Sequence, residues 1–509
     1  MVKTPLVTQQ EVHDPEGSFR GVFSCVVDDD PGRHLDALRW FASLTRIAGV
    51  SPRDLVVWAV DGHSSEVFEY LAANDVTVRE VSAFDTRFPG CNSISGALRL
   101  AEMGVDGMAV VTKTDVAILE DPRALPIPPD QVGARLVEAP IPPVSVLKSV
   151  FDSAGVEVPP EVALLGDPSG STILGNVDDG LYLVPDPLLG SVARAWEHWG
   201  RWLVERADLL GEWAHCLDQV AMALALAAER VGHFALERRW NTSTHGLPTS
   251  DDTTPPAVIR YHGDLIRDGR VQRTERPAID SRLDQLNATV SELWHEAFPN
   301  ATFWQWRYLT NPELGSGVGS RGEALERKRA LLEALLEAVQ PESVLDVGCG
   351  DGQATKGLHI LRYVGMDLSS EAVRLAKAGR PDGRFLVGSL ADHQVRADLT
   401  LCLDVLIHQA DVESYQGLVA RLWESTNKVL VVSGYDHPPN FEASMVHFHE
   451  PLSTTLDVVT SGSERSVLRV EDGVTTFAVQ RPGVTVPMLP ILAKQQEIVP
   501  ADPGRDWKP

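Results

Sequence analysis

The chain has 509 residues, of which 43% are hydrophobic and 23% charged, and this length and composition predict a soluble globular protein of two or three domains. Its formal net charge of −26 opposes binding to nucleic acid or to an anionic membrane, so we expect no nucleic-acid partner. No run approaches the ~18 apolar residues of a membrane span. The N-terminus has no apolar signal region, and the five cysteines include no C-x-x-C pair, so a cytoplasmic protein without a disulfide framework is expected.

The first half of the chain alternates short apolar runs with segments of helical spacing. The apolar runs predict strands at 23–27, 55–60 and 76–81, and the helical spacing predicts helices at 35–47 and 65–74. Such alternation favours a parallel α/β sheet whose ligands bind at the carboxyl ends of the strands.

The next two segments, 88–98 and 108–122, resemble the centre of a GT-A glycosyltransferase. In that fold a strand ends in an Asp-x-Asp motif that holds a divalent cation against the diphosphate of a nucleotide sugar. The resemblance therefore implies a nucleotide sugar and a carbohydrate or glycosylated acceptor as partners, with Mg²⁺ or Mn²⁺ as the ion. It spans about residues 20 to 272 and continues in the segments 175–185, 215–220, 240–245 and 260–263.

This resemblance also implies roles for individual residues. Asn92, Lys113 and Asp115 fall at the nucleotide-sugar site, Asp115 and His262 at the metal site, and Asp218 at the acceptor. Three alternatives stay open: Asp115 as a strand-end carboxylate without a ligand, Asp218 as a plain helix N-cap, and His262 as an ordinary loop histidine.

The chain departs from the family at two of these positions. Lys113 stands where the first aspartate of the motif is expected, and Ser93 stands where a basic residue is usual. The loss of a carboxylate and the gain of a cation weaken divalent binding. Either Lys113 itself neutralises the diphosphate, or the domain has lost transfer and binds glycans as a module.

A joint follows at residues 271–322. Helical spacing covers 279–298. The aromatic run 303–308 is interpreted as packing between domains or against the sheet, with a ligand platform as the alternative. The glycine-rich stretch 311–322 predicts a loop, and it resembles the segment that folds over the cofactor in some methyltransferases. Arg321 in this loop either pairs with the methionine carboxylate of the cofactor or is a solvated linker arginine.

After a predicted helix at 323–339, an apolar run leads into a turn with Gly348, Gly350 and Gly352. A helix-compatible segment begins at Gln353, and a second apolar stretch ends in Asp367. A strand, a glycine turn, a helix and an acid-tipped strand make the geometry of a nucleoside site, where the acid accepts hydrogen bonds from ribose hydroxyls.

The glycine spacing differs from the dinucleotide fingerprint, because position 353 is Gln rather than Gly. The stretch, with Asp346 before it, resembles motif I of the class I S-adenosylmethionine-dependent methyltransferases. The resemblance implies S-adenosylmethionine as cofactor. The residues that it assigns to the cofactor are Asp346, Gly348, Gly350, Gly352, Asp367, Ser389 (with Asp392 as the alternative), Leu390, Asp404 and Arg321.

Further strands are predicted at 384–387, 399–403 and 429–432, and a hairpin is predicted at 468–479. The segment that ends in His408 resembles motif IV, where a strand end reaches both cofactor and acceptor. An alcohol acceptor needs a base near neutral pH, because a hydroxyl is too weak an acid to ionise alone. The candidates are His408 and, behind the fifth strand, His447 and His449; His408 and His449 are assigned as catalytic, and for each histidine a structural role is the alternative.

The predicted fold class is α/β with two domains. A GT-A-like nucleotide-sugar domain covers 1–270, a helical linker with a cofactor-lid loop covers 271–322, and a Rossmann-like class I methyltransferase domain covers 323–509. The predicted function is bifunctional glycan or glycoside modification, in which O-methylation of a sugar hydroxyl is joined to glycosyl transfer. The alternatives are a methyltransferase whose degenerate first domain binds the acceptor, and a non-enzymatic scaffold. The sugar, the acceptor and the oligomeric state stay open.

Overall fold

The computed structural model describes residues 20–164, 170–246, 253–441 and 443–484. Residues 1–19, 165–169, 247–252, 442 and 485–509 lie outside this description, and with them half of the polar segment 246–257. Within them, no helix combines the length and the apolar character that crossing a membrane requires.

The first half of the chain forms a mixed seven-stranded sheet, a three-stranded sheet and a hairpin. Its strands are β1 (Gly21–Val27), β2 (Leu55–Val60), β3 (Thr77–Val81), β4 (Met108–Thr112), β5 (Val116–Ile118), β6 (Gln131–Ala134), β7 (Glu161–Ala163), β8 (Ser171–Ile173), β9 (Leu181–Pro185), β10 (Gly232–Ala235), β11 (Thr242–Ser243) and β12 (Val258–Arg260). Its helices are α1 (Pro31–Ala42), α2 (Glu66–Ala73), α3 (Asn92–Met103), α4 (Val144–Ala154), α5 (Asp186–Val204) and α6 (Leu217–Ala228).

The large sheet has the order β3-β2-β1-β4-β9-β6-β10. Strands β1 to β4 are parallel to one another, as the alternating pattern predicts, whereas β9 runs antiparallel to both of its neighbours, β4 and β6. The chain moves outward from β1 to β3 and then returns to the other side of β1 with β4. The gap between β1 and β4 is therefore the switch point at which ligands bind in sheets of this kind.

Strand β2 shows why the strands of this sheet are apolar throughout. All six of its residues are buried. Leu55 and Val57 belong to one hydrophobic core, whereas Val56 and Trp58 belong to the other. Because alternate side chains point to opposite faces, a strand that is covered on both faces needs an apolar residue at every position.

The second half forms one mixed seven-stranded sheet, in the order β15-β14-β13-β16-β17-β19-β18. These strands are β13 (Val344–Val347), β14 (Tyr363–Asp367), β15 (Arg384–Val387), β16 (Ala397–Cys402), β17 (Thr426–Tyr435), β18 (Glu464–Glu471) and β19 (Val474–Gln480). The helices from the joint onward are α7 (Pro277–Glu296), α8 (Asn300–Thr310), α9 (Gly322–Val339), α10 (Ser370–Gly379), α11 (Val412–Glu424) and α12 (Leu452–Val459).

The first five strands of this order are parallel, with the switch point between β13 and β16. The predicted hairpin is confirmed, since β19 lies antiparallel to both β17 and β18. Its two turn residues, Asp472 and Gly473, have φ angles of 49° and 81°. Two successive positive φ angles make the type I′ turn that an Asp-Gly pair favours.

One predicted element is wrong: no helix follows the glycine turn. Successive turns, each closed by a hydrogen bond between residues i and i+3, cover the segment after it. Gly357 in this segment has a φ of 76°. The carbonyls of this segment are bound by arginines instead of by helical N–H groups. Arg329 donates to Gln353 and Lys356, at 3.0 and 2.7 Å, and Arg380 donates to carbonyls of the same segment.

Helix α8 is hydrogen-bonded to both halves of the chain. Its start is capped by Glu66 of α2, whose Oε1 accepts from the Thr302 N–H at 2.7 Å. Further along, the Gln305 Oε1 accepts from the Ser369 hydroxyl at 2.8 Å and from the Glu371 N–H at 3.2 Å, at the beginning of α10. Helix α8 therefore links the two halves of the chain through hydrogen bonds to α2 and to the beginning of α10.

The aromatic run 303–308 lies on α8 and has two roles. Phe303 and Trp306 are buried in a core that they share with the first sheet, as the packing interpretation predicts. Trp304 and Tyr308 contact the second half, since the Trp304 ring lies 5.0 Å from the ring of His408. This helix thus contributes side chains to the site described below.

Candidate cofactor and acceptor site

The glycine turn after β13 leaves no room for side chains. Gly348, Gly350 and Gly352 have φ angles of 72°, 55° and 72°, in the left-handed region that favours glycine. A Cβ atom on Gly350 would lie 2.2 Å from the Ser316 Oγ and 2.6 Å from the Tyr308 hydroxyl. This turn is a backbone surface that groups from other segments approach closely.

Asp367 lies at the end of β14 and is hydrogen-bonded to the turn. Its Oδ2 accepts from the Gly350 N–H at 2.9 Å, and its Oδ1 accepts from the Ser369 N–H at 2.9 Å. Burial raises the pKa of Asp367 to about 6. No ion pair among the described residues includes it, so its carboxylate keeps lone pairs that ribose hydroxyls fit.

Asp346, on β13, is hydrogen-bonded to the neighbouring strand β14. Its Oδ2 accepts from the Tyr363 hydroxyl at 2.8 Å, and that hydroxyl accepts in turn from the Thr355 hydroxyl at 3.2 Å. Burial raises the pKa of Asp346 to about 6 as well. This chain of hydrogen bonds fixes the turns that replace the predicted helix.

The segment 311–321, called the lid, lies against the glycine turn. The Ser316 Oγ and the Tyr308 hydroxyl are 2.5 Å apart, and the Arg321 Nη2 lies 2.5 Å from the Asp351 Oδ2. Arg321 also donates to the carbonyl of Glu313 at 2.8 Å. The arginine that the sequence assigns to the methionine carboxylate is therefore ion-paired with the glycine turn.

At the end of β15, Ser389 and Leu390 present little side-chain chemistry. The Ser389 N–H and hydroxyl both donate to Asp392, each at 2.9 Å, so Ser389 and its alternative are bonded to each other. The Leu390 side chain is 7% exposed and packs into the core of the sheet. A ligand at this strand end would therefore contact mainly backbone groups.

Asp404 follows β16 with a φ of 61°, which is unusual for a residue with a side chain. Its Oδ2 lies 2.8 Å from the Lys328 Nζ, and its Oδ1 accepts from the Ser433 hydroxyl at 2.9 Å. Burial alone would raise the pKa of Asp404, but Lys328 outweighs it and holds the pKa below its usual range. Sequence analysis missed Lys328. The sequence nevertheless contains a sign of its burial, because this lysine interrupts the leucine face of α9.

The tautomer of His408, the first candidate base, is defined by one hydrogen bond. Its Nδ1 lies 2.6 Å from the Met445 carbonyl, which accepts only, so Nδ1 carries the proton. No hydrogen bond among the described residues involves Nε2. Burial lowers the pKa of His408 to about 4, so the ring is neutral and Nε2 is a proton acceptor.

His449, the other candidate, is bonded differently. Its Nε2 lies 2.8 Å from the Gln409 carbonyl, its ring stacks on that of His447 at 6.2 Å, and it contacts the Tyr415 ring at 5.6 Å. Its Nε2 is therefore the protonated nitrogen.

In the first half, Lys113 follows β4 and contacts Asp218, which is also a predicted site residue. Its Nζ lies 2.5 Å from the Asp218 Oδ2, 3.5 Å from the Asp179 Oδ2 and 2.7 Å from the Gly90 carbonyl. Asp218 is not a helix N-cap, because α6 begins at Leu217. Its carboxylate is held by Lys113, although burial keeps its pKa above the usual value.

A second charged group lies beside this one. Its residues Asp178, Asp179 and Arg260 fall in segments that carry the predicted resemblance, which gives them no role. Arg260 contacts both Asp178, at 2.8 Å, and Asp179. Arg135 contacts Asp178 at 3.2 Å. Since Asp179 also faces Lys113, the two groups form one buried network at the edge of the first sheet.

The predicted metal site is not formed. The Asp115 Oδ1 is buried without a hydrogen-bond partner, and its Oδ2 lies 3.7 Å from Arg33. The His262 Nε2 lies 2.7 Å from the Ser243 Oγ, and its ring stacks on His245 at 4.3 Å. In the described part of the chain, no three His, Cys, Asp or Glu residues are grouped so that they could hold a metal ion. The residues present do not fit a divalent ion.

Asn92, the remaining predicted nucleotide-sugar residue, has a structural contact. Its Oδ1 accepts from the Phe84 N–H at 2.9 Å, and the residue is 6% exposed. This contact fixes the loop that leads into α3, so the Asn92 oxygen is already occupied.

The Lys113 network yields a stability prediction. Lys113→Met is expected to lower the free energy of unfolding by about 3–5 kcal/mol, because it leaves the nearly fully buried Asp218 without its cation. The matched control is Lys148→Met. Lys148 and Glu161 are also 2.5 Å apart but exposed to solvent, so the loss of free energy of unfolding is expected to be much smaller than for Lys113→Met. Urea denaturation of both variants measures the difference, and equal losses would contradict the buried pair.

Comparison with known proteins gives one family match. Residues 345–429 match the family described as methyltransferase domain. They span the sheet from β13 into β17, with the glycine turn, Asp367 and Asp404. No curated protein matches the chain.

Several solved structures are also similar to the chain. Magnesium protoporphyrin IX methyltransferase (ChlM) from Synechocystis PCC 6803, with bound SAH, is 17% identical with a TM-score of 0.29, covering 38% of this chain and 99% of that one. The N-methyltransferase NodS from Bradyrhizobium japonicum WM9 is 17% identical with a TM-score of 0.26, covering 31% and 95%. CalS10, an amino pentose methyltransferase from Micromonospora echinaspora, is 18% identical with a TM-score of 0.26, covering 32% and 93%.

The assignment of the second half rests on the family match together with the geometry of the turn. The resemblance of the first half to GT-A glycosyltransferases stays a prediction. The glycine cradle and the Asp367 carboxylate fit S-adenosylmethionine, which would be held by Gly348, Gly350 and Asp367. The second half of the chain therefore contains a class I S-adenosylmethionine-dependent methyltransferase domain with a Rossmann-like fold.

Proposed function

We propose that the chain methylates a sugar hydroxyl, with the second half catalysing O-methylation and the first half recognising the carbohydrate. The observation that carries this proposal is the state of His408. Its Nδ1–H is held by the Met445 carbonyl, so its Nε2 is left as a proton acceptor just beyond the end of β16. A hydroxyl acceptor needs such a base, whereas an amine acceptor that is already deprotonated does not.

The side chains of this site then have distinct tasks. Bound S-adenosylmethionine supplies an electrophilic methyl group. Asp367 accepts from its ribose hydroxyls, and the lid covers the glycine turn and excludes water. His408 Nε2 takes the proton of the acceptor hydroxyl as that oxygen attacks. Because its pKa is about 4, His408 is a weak base, so proton transfer accompanies attack rather than preceding it.

Carbohydrate recognition by the first half is supported by where its predicted residues meet. Lys113 and Asp218 are 105 residues apart in sequence, yet they are in contact near the switch point of the first sheet. A lysine at this position neutralises a phosphate or orders hydroxyl groups without a metal ion. Joining recognition to methylation in one chain raises the local concentration of the acceptor at the second site.

Glycosyl transfer by the first half is the second candidate. The observation that favours it is the Asp115 Oδ1, which is buried after β4 without a hydrogen-bond partner. Buried carboxylate oxygens normally have a partner, so an oxygen without one fits a hydroxyl or ammonium group of a ligand.

The test uses the full chain with methyl-labelled S-adenosylmethionine and a panel of glycosides, nucleotide sugars and small amines. Transfer to a hydroxyl of a sugar-bearing acceptor, identified as a methyl ether by mass spectrometry, is the expected result. Methylation of amines alone would contradict the proposal. Release of nucleoside diphosphate from a nucleotide sugar in the same reactions would support the second candidate.

A further inference from the structure

Arg307, on α8, is a buried cation that has no anionic partner among the described residues. It is 6% exposed, and among those residues its Nε has no hydrogen-bond partner and its Nη1 reaches only the Met445 sulfur, at 3.8 Å. No ion pair among the residues that the structure describes includes it. Burial lowers the pKa of Arg307 to about 10, so the side chain is still charged at neutral pH.

Other buried arginines of the chain have oxygen acceptors. Arg135 pairs with Glu138 at 2.6 Å. Arg276 and Arg380, each 7% exposed, donate to backbone carbonyls instead. A buried charge without such a partner is strongly unfavourable, and the usual remedy is an anion bound to it. Arg307 therefore differs from these arginines, because no oxygen acceptor among the described residues compensates its charge.

Arg307 lies close to His408, the candidate base. The Trp304 ring lies 5.2 Å from the Arg307 guanidinium carbon and 5.0 Å from the His408 ring. Met445 contacts Arg307 through its sulfur and His408 through its carbonyl. Arg307 and His408 thus share two neighbours, and a molecule that reaches the base also approaches the guanidinium.

The lid leaves room beside this guanidinium. A Cβ atom on Gly317 would lie 3.4 Å from the Arg307 Nη2, so the missing side chain of Gly317 opens the space that the guanidinium faces. The planar fork of an arginine matches the two oxygens of a carboxylate or phosphate. With a net charge of −26, the chain as a whole repels anions, and a dedicated cation is needed to hold one.

We propose that Arg307 binds an anionic group, a carboxylate or a phosphate, of the methyl acceptor and so holds the neighbouring hydroxyl at His408. The inference rests on the proposed function and narrows its substrate class to acidic acceptors, such as a sugar acid or a sugar phosphate. Neutral sugars are expected to be poor acceptors, because they leave the guanidinium unpaired.

The test is calorimetry on the full chain saturated with S-adenosylhomocysteine, with inorganic phosphate and acetate as separate probes. Wild-type protein is expected to bind at least one of the two, and the stronger probe identifies the kind of anion. Arg307→Gln is expected to weaken that binding at least tenfold. The matched control is Arg362→Gln at an exposed arginine, which is expected to leave it unchanged.

Two results would overturn the inference. One is absent anion binding to the wild type, or equal binding to Arg307→Gln. The other is weaker binding of S-adenosylhomocysteine to Arg307→Gln with unchanged binding of 5′-methylthioadenosine, because the latter lacks the methionine carboxylate and the arginine would then hold the cofactor. If Arg307→Gln does not fold, Arg307→Lys keeps the charge but not the fork, and a loss of at least threefold is expected. Since these measurements need no methyl transfer, their failure is distinct from a failure of the acceptor panel.

Discussion

Asp367→Ala is expected to raise the dissociation constant of S-adenosylhomocysteine about 100-fold or more. The carboxylate is the group at the end of β14 that fits two ribose hydroxyls, and each hydrogen bond to a charged group contributes about 1.5–3 kcal/mol. Asp367 also accepts from the Gly350 N–H at 2.9 Å, so its loss loosens the turn that the cofactor approaches. Calorimetry on the full chain measures this effect. Asp382→Ala is the control, since Asp382 is an exposed aspartate before β15.

The same residue predicts how cofactor binding depends on pH. Burial raises the pKa of Asp367 from 3.8 to about 6, so the free protein protonates this group when the pH falls through about 6. A protonated acid no longer accepts from both hydroxyls, and affinity for the cofactor is expected to fall below that pH. In the linkage to folding the sign is opposite: the stability associated with Asp367 is full below pH 3.8 and is lost as the pH rises through about 6. An affinity that is flat between pH 5 and 7, or unchanged in Asp367→Ala, would contradict the assignment.

The strands and the glycine turn were predictable because their signals are local. A short run rich in β-branched residues, such as Val344–Val347 before a glycine turn, favours a buried strand, and three glycines at alternate positions permit the positive φ angles that the turn has. The missing helix after the turn was not predictable. Its carbonyls are satisfied by Arg329 and Arg380, which lie on other elements, so a tertiary contact replaces a local one.

The candidate site shows the same division. Asp367, Asp404 and His408 are found from sequence because each follows a predicted strand at the edge where ligands bind. Lys328 and Arg307 belong to helices from outside the motifs, and only the fold brings them to Asp404 and to Met445. Lys328 lies on the leucine face of its helix and Arg307 lies in an aromatic run, and each pattern indicates burial of the cation without naming its partner.

In the first half, the Lys113 substitution was visible in the sequence, but its consequence was not. A lysine in place of the first aspartate weakens metal binding, and the described residues form no metal site. The structure adds that Lys113 holds Asp218, the residue assigned to the acceptor. One residue therefore bears on two predicted roles, because Lys113 stands at a predicted metal-ligand position and forms an ion pair with the predicted acceptor residue.

His408→Gln is expected to lower kcat for methyl transfer by about 10²- to 10⁴-fold, the usual contribution of a general base. Glutamine is polar and of similar size but has no basic nitrogen, so the fold is expected to persist while proton removal fails. The matched variant is His449→Gln. His449 donates its Nε2–H to Gln409, and its substitution is expected to change kcat less than tenfold. Methyl transfer from labelled S-adenosylmethionine measures both rates, and equal losses would contradict the choice of His408.

The pH dependence separates the two key groups. Burial lowers the pKa of His408 from 6.5 to about 4, so the base stays unprotonated, and kcat at saturating cofactor is expected to be flat from about pH 8 down to about pH 5. The kcat/KM for S-adenosylmethionine is expected to fall already near pH 6, because Asp367 becomes protonated in the free protein. In the linkage to folding, the stability associated with neutral His408 is full above pH 6.5 and is lost as the pH falls toward 4. A kcat that falls near pH 6.5 would mean that the base is an exposed histidine. A kcat and a kcat/KM that fall together would mean that a single group governs binding and proton removal.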